Sequence, residues 1–136
     1  MVMKSSLATY VTENLAFLGQ ISNRNIFGAI GIYIEERLLG IVIDETLYLH
    51  TGPSNQEDYL SRGMAQFKPY PNAFDLTTDH HRVPEEVVAD PLLLKQWGER
   101  ALKAAIEAAR AKQLAGIERS RHMKQARKRQ REEGKE

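Results

Sequence analysis

The sequence predicts an α+β fold, an antiparallel sheet with helices in the order helix, three strands, helix, two strands, helix. Residues 24–50 hold most of the β-branched and aromatic residues of the first half, interrupted by Gly, Glu35-Glu36 and Asp44-Glu45. Connections that short join antiparallel neighbours. Apolar residues at helical spacing come before this stretch, and a longer helical pattern follows from Asp90. The 136 residues include no cysteine, so the core forms without a disulfide framework or a thiolate metal site.

Ser5 and Ser6 cap a first helix that carries Leu7, Tyr10, Val11, Leu15 and Leu18 at helical spacing, with Gly19 as its stop. The first strand begins near Arg24 and contains Gly28 and Gly31, a spacing that implies a bulge or a close backbone approach. Gly28-Ala29-Ile30-Gly31 lacks the following helix and the Lys-Ser/Thr pair of a phosphate-binding loop. Glu35-Glu36 make a hairpin turn. Leu38 to Ile43 form a second strand, apolar almost without a break and therefore central, and Asp44-Glu45 turn the chain into a third strand over Thr46 to His50.

Ser54 or Asn55 caps a short helix that ends at Gly63. Gln66 to Tyr70 reads as a fourth strand, and Pro69 places it at an edge. Leu76 to Val83 reads as a fifth. Pro84-Glu85-Glu86 is a first helical turn, with carboxylates near the positive end of the dipole. Asp90-Pro91 is the clearest helix start in the chain, and Leu93, Leu94, Trp97, Ala101, Leu102, Ala104, Ala105 and Ala108 follow at helical spacing. Gly116 is expected to interrupt this helix. The reading divides the chain into a domain over residues 1–116 and a basic tail over 117–136, flexible or helical.

Charge is unevenly distributed. Residues 1–118 carry a net charge of −4, whereas Arg119, Arg121, Lys124, Arg127, Lys128, Arg129 and Arg131 give +7 within thirteen residues that contain no acid. Such a run can neutralise phosphates and bind nucleic acid non-specifically. Spread over all sides of a helix and lacking aromatics for base stacking, it reads as a flexible arm. The bland alternative is a solubilising extension.

The residues Phe27-Gly28-Ala29-Ile30-Gly31-Ile32-Tyr33, then Leu39-Gly40-Ile41-Val42-Ile43-Asp44 and Leu47-Tyr48-Leu49, resemble the N-terminal domain of the TfoX/Sxy proteins. In order there follow a short acidic helix ending in Gly63, Phe67-x-x-Tyr70, Arg82-Val83-Pro84-Glu85-Glu86, Asp90-Pro91 and Leu94-x-x-Trp97. The similarity spans roughly Leu7 to Ala109. Phe27, Gly28, Gly31, Tyr33, Tyr48, Pro84 and Trp97 are its structural signature. Ile26 stands where that family usually has Met, Ala29 replaces its second glycine, and Asp79-His80-His81 replaces a more usual Ser and Tyr. A basic tail stands where full-length members carry a small helical C-terminal domain. The resemblance implies a fold like that of secretion chaperones. It also implies a role in expressing DNA-uptake genes alongside the CRP activator.

Convergent chemistry is sparse in the sequence. His80 and His81, with Asp79 and Asp75, come nearest to a metal or acid–base cluster, but neighbouring strand residues point to opposite faces. No further ligands stand at a recognised spacing. There is no Gly-x-Ser-x-Gly elbow, and Trp97 shares its stripe with Leu93, Leu94 and Ala101, which makes it core. No catalytic residue, metal ligand or cofactor is expected. The leading expectation is a non-enzymatic, cytoplasmic regulatory domain working in transcription or competence through protein contacts. Its alternatives are a chaperone-like dimeric adaptor that binds a partner peptide, and non-specific nucleic-acid binding through the tail. No apolar run is long enough to span a bilayer.

Overall fold

The computed structural model describes residues 5–26, 28–68 and 79–133. Helix α1 (Ser6–Leu15) leads through a 3₁₀ turn (Ala16–Leu18) into β1 (Ile21–Ile26), β2 (Ala29–Ile34), β3 (Arg37–Ile43) and β4 (Thr46–His50). Helix α2 (Gln56–Leu60), strand β5 (His80–Arg82), and helices α3 (Glu85–Ala89) and α4 (Pro91–Glu133) follow. The five strands form one antiparallel sheet in the order β1-β2-β3-β4-β5. The α+β class and the central place of β3 stand as the sequence predicts.

The details differ where glycine was given the wrong job. Gly28 has a φ of 73° and sits in the two-residue connection between Ile26 and Ala29, so it turns the chain. The single expected strand through Gly28 and Gly31 is therefore two strands. The bulge lies elsewhere. Pairing shifts from Ile32↔Gly40 to Tyr33↔Leu38, which leaves Leu39 as the extra residue in β3. Gly31 meets side chains instead of a second backbone, since a Cβ there would lie 2.9 Å from Ile26 Cδ1.

The other two hairpins turn on Glu35-Glu36 and Asp44-Glu45, and all four residues have φ between 48° and 67°. Left-handed φ at both central positions matches the twist of the flanking strands. Glu45 has a further role in its turn. Its carboxylate accepts from Leu7 N at 3.1 Å and from the hydroxyls of Ser5 and Ser6, which ties the start of α1 to the β3–β4 connection. Ser5 Oγ also accepts from Ala8 N at 3.1 Å, as the cap reading requires.

Both faces of the sheet carry apolar clusters. On one, Ile30, Ile32 and Ile34 of β2, with Leu39, Val42, Leu47 and Leu49, pack with Val11 and Leu15 of α1 and Leu94, Trp97 and Ala101 of α4. On the other, Ala29 and Ile41 cluster with Phe67, joined by Ile26, Leu38, Ile43 and Tyr48. Leu39 and Val42 join the first cluster and Leu38, Ile41 and Ile43 the second, so both faces of β3 are apolar and its sequence shows no clean alternation.

The fourth predicted strand reduces, among the described residues, to an isolated bridge between Gln66 and His81 with Phe67 N donating to His80 O. Pro69 and Tyr70 lie outside the described residues, as do Leu76 to Thr78 of the predicted fifth strand. Asn55 stands at the N-terminus of α2, but its side chain accepts from Gly52 N and donates to His50 O instead of capping. Asp90 caps α4 as predicted, accepting from Leu92 N at 3.0 Å.

Gly116 does not break α4, which runs unbroken to Glu133. One glycine among strong helix formers costs only about 1 kcal/mol, too little to end a helix whose neighbours favour continuation. The chain forms two compact units, Met1–Ala105 and Ile106–Glu136. The named core residues all belong to the first.

Candidate functional site

A hollow in the first unit lies where α1, the β3–β4 turn, β5 and α3 converge. It has a volume of about 490 Å³, within the range of small-ligand and peptide-anchor pockets. Leu7, Tyr10, Leu47, Val83 and Val88 supply its apolar lining, with Glu45, Arg82 and Glu85 among its polar residues. The polar groups are mostly committed to the fold. Tyr10 OH donates to Val88 O at 2.8 Å, and Glu45 is held by α1 as described. Those hydrogen bonds, Ser5 foremost, hold the Glu45 carboxyl below its usual pKa. Arg82 pairs with Glu85 at 3.7 Å, and both side chains are exposed. The geometry suits an apolar side chain seated on a hydrophobic floor.

The histidines diverge, as alternation along a strand dictates. His81 Nδ1 lies 2.6 Å from Thr51 Oγ1, and its ring is near Tyr59. His80 is on the opposite face, 4 % exposed, with Nε2 3.4 Å from Leu38 O and its ring centroid 5.1 Å from that of His50. Burial, reinforced by His50, pushes the His80 pKa down to about 4. Burial lowers His81 as well. Among the described residues no three His, Cys, Asp or Glu side chains come together as a metal site. Asp75 lies outside the described residues.

The signature residues serve packing and turning. Trp97 meets Tyr59 edge-on at 4.9 Å within the core, and Tyr48 meets Phe67 at 5.0 Å on the opposite face. Tyr33 lies beneath the Arg24 guanidinium at 4.5 Å, and Pro84 stands at the N-terminus of α3. Phe27 lies outside the described residues. The family model of the TfoX N-terminal domain matches residues 13–105. The chain belongs to that family. No curated protein matches it. The TfoX N-terminal match covers the sheet and the packed part of α4.

Beyond the TfoX match, Arg119, Arg121, Lys124, Arg127, Lys128, Arg129 and Arg131 are all part of α4, and the first six are exposed. On this continuous helix the cations lie on more than one side, and three of them share a face. At about 100° per residue, Arg121, Lys124 and Lys128 fall on one face, in line with Arg110, Leu114 and Ile117. Arg119 lies opposite, and Arg127 and Arg129 flank the stripe on either side. The stripe follows a 3,4 spacing in the sequence, 110-114-117-121-124-128, and forms one face because the helix continues through Gly116.

Proposed function

We propose that this chain is a non-enzymatic regulatory domain that acts in transcription, in the TfoX manner, by holding a protein partner. The observation that carries this reading is the hollow between α1 and α3. Its floor is apolar and its carboxylate and phenol are already engaged, which favours anchoring a partner side chain over chemistry. The TfoX match supports the regulatory context. The setting is cytoplasmic, and among the described residues no helix is long and apolar enough to cross a membrane.

The test is co-purification from the native host with the CRP activator and RNA polymerase, comparing the wild type with Val88→Glu, which puts a charge on the floor. Capture of either protein by the wild type and its loss in V88E is the expected result. Failure to capture either, together with unchanged transcripts of DNA-uptake genes when the chain is deleted, would overturn the proposal.

A dimeric adaptor is the second reading, favoured by β1. This strand stands at the sheet edge, and Ser22, Asn23, Arg24 and Asn25 are all exposed. An exposed edge can pair with another strand. Antiparallel self-pairing centred on Asn23 would set Ser22 opposite the second copy's Arg24, whereas centring on Arg24 would oppose two cations. Light scattering after size exclusion measures the outcome, and a monomer at several hundred micromolar counts against this reading.

A further inference from the structure

We propose that the helix beyond Ile106 docks along one phosphate strand of duplex DNA through a single cationic face formed by Arg110, Arg121, Lys124 and Lys128. This goes beyond the protein-contact reading and does not depend on it.

The four cations are exposed, and none has an ion pair or hydrogen bond among the described residues. Glu107 and Glu118 lie to one side of the stripe, and no acid occurs between Arg119 and Arg131. With a rise of about 1.5 Å per residue, Arg121, Lys124 and Lys128 follow one another at about 4.5 and 6 Å.

Charge density identifies the occupant. On the docking face Arg121, Lys124 and Lys128 amount to about one cation per 4 Å of helix axis, and one strand of duplex DNA offers one anionic charge per about 3.4 Å. An acidic protein would need an equally uninterrupted run. A membrane is disfavoured because helices that lie in a bilayer segregate apolar and charged faces. Here Leu114 and Ile117 share the face of the cations. The major groove of B-form DNA admits an α-helix, whereas that of A-form RNA is too narrow. Residues 106–130 contain no Phe, Tyr or Trp, so the stacking that single strands exploit is not offered. The contact is to phosphates, and the binding is therefore sequence-tolerant.

The experiment uses the full chain and a fluorescent 25-base-pair DNA duplex, with anisotropy measured between 50 and 200 mM salt. Two variants remove equal charge. R121Q/K124Q/K128Q removes three cations of the stripe, and R119Q/R127Q/R129Q removes three that lie off it. Glutamine is a good helix former, and circular dichroism checks that helicity is retained in both. Four phosphate contacts predict a log–log salt slope of about −3.6, falling by about 2.7 in the stripe variant. The stripe variant is expected to lose at least tenfold in affinity at 50 mM salt, while the off-stripe variant keeps its slope within one unit. Equal losses in both would show an arm without a face and overturn the proposal. So would no DNA binding by the wild type at 50 mM salt, or equal or tighter binding to duplex RNA or to vesicles one-third phosphatidylserine.

Discussion

His80 is a residue of β5, with its Nε2 3.4 Å from the Leu38 carbonyl oxygen and its pKa lowered to about 4 by burial, against an ordinary value of 6.5. Between those values the unfolded chain binds the proton and the folded chain does not. Stability is therefore complete above pH 6.5 and falls as the pH drops toward 4. The loss reaches about 3 kcal/mol at most, and His81, also lowered, adds to it with the same sign. Glu45, lowered from 4.5, contributes only at lower pH, where its carboxylate protonates. Urea midpoints measured from pH 7 to 4 should fall steadily in the wild type and much less in His80→Leu. Gly98 poses a second residue-scale question. A Cβ there would lie 2.5 Å from Leu15 Cδ2, and Leu15 is fully buried. Gly98→Ala gains about 1 kcal/mol in helix propensity but incurs overpacking of about 1–3 kcal/mol. A net loss of about 1 kcal/mol is expected, read as a lower urea midpoint with unchanged slope.

Gly116 is the contrasting glycine, and it decides how far α4 extends. Nothing lies within 4 Å of a Cβ built there, so Gly116→Ala should raise helicity and stabilise the segment by about 1 kcal/mol. Circular dichroism at 222 nm over a thermal ramp would show a helix that melts later. An unchanged signal would mean that this turn of helix is absent in solution. Element by element, the sequence was informative where one residue type has one job. Ser5 and Asp90 cap, Asp44-Glu45 turn, and the helical stripe of Leu94, Trp97 and Ala101 packs. It misled where a residue has several. Gly28 turns, Gly31 makes room for Ile26, and Gly116 is simply a tolerated helical residue. The Leu39 bulge was hidden because an unbroken apolar run is compatible with any register.

At the scale of the whole chain, the candidate site was less legible than the fold. The groove depends on Tyr10, Leu47, Val83 and Val88, residues far apart in sequence that convergence of α1, β4 and α3 brings together. No local spacing announces such a set. The pairing of His50 with His80 likewise follows from β4–β5 register. Phe67 could be read as apolar, but not as the cover of a second sheet face. The cationic stripe was fully written in the sequence and needed only an unbroken helix to appear. The division of the chain has a testable thermodynamic consequence. The buried apolar side chains run from Ala8 to Ala105, and burial of that kind, at about 25 cal/mol per Å², dominates folding stability. Ile117 and Met123 are each more than half exposed, so removing them forfeits little such burial. A chain ending at Leu114 should therefore unfold cooperatively with a midpoint within about 3 °C of the full chain, a shift corresponding to less than about 1 kcal/mol. Its helical ellipticity should drop by the contribution of the missing turns. A midpoint lower by 10 °C would show that residues beyond 114 help to hold the sheet and its helices together.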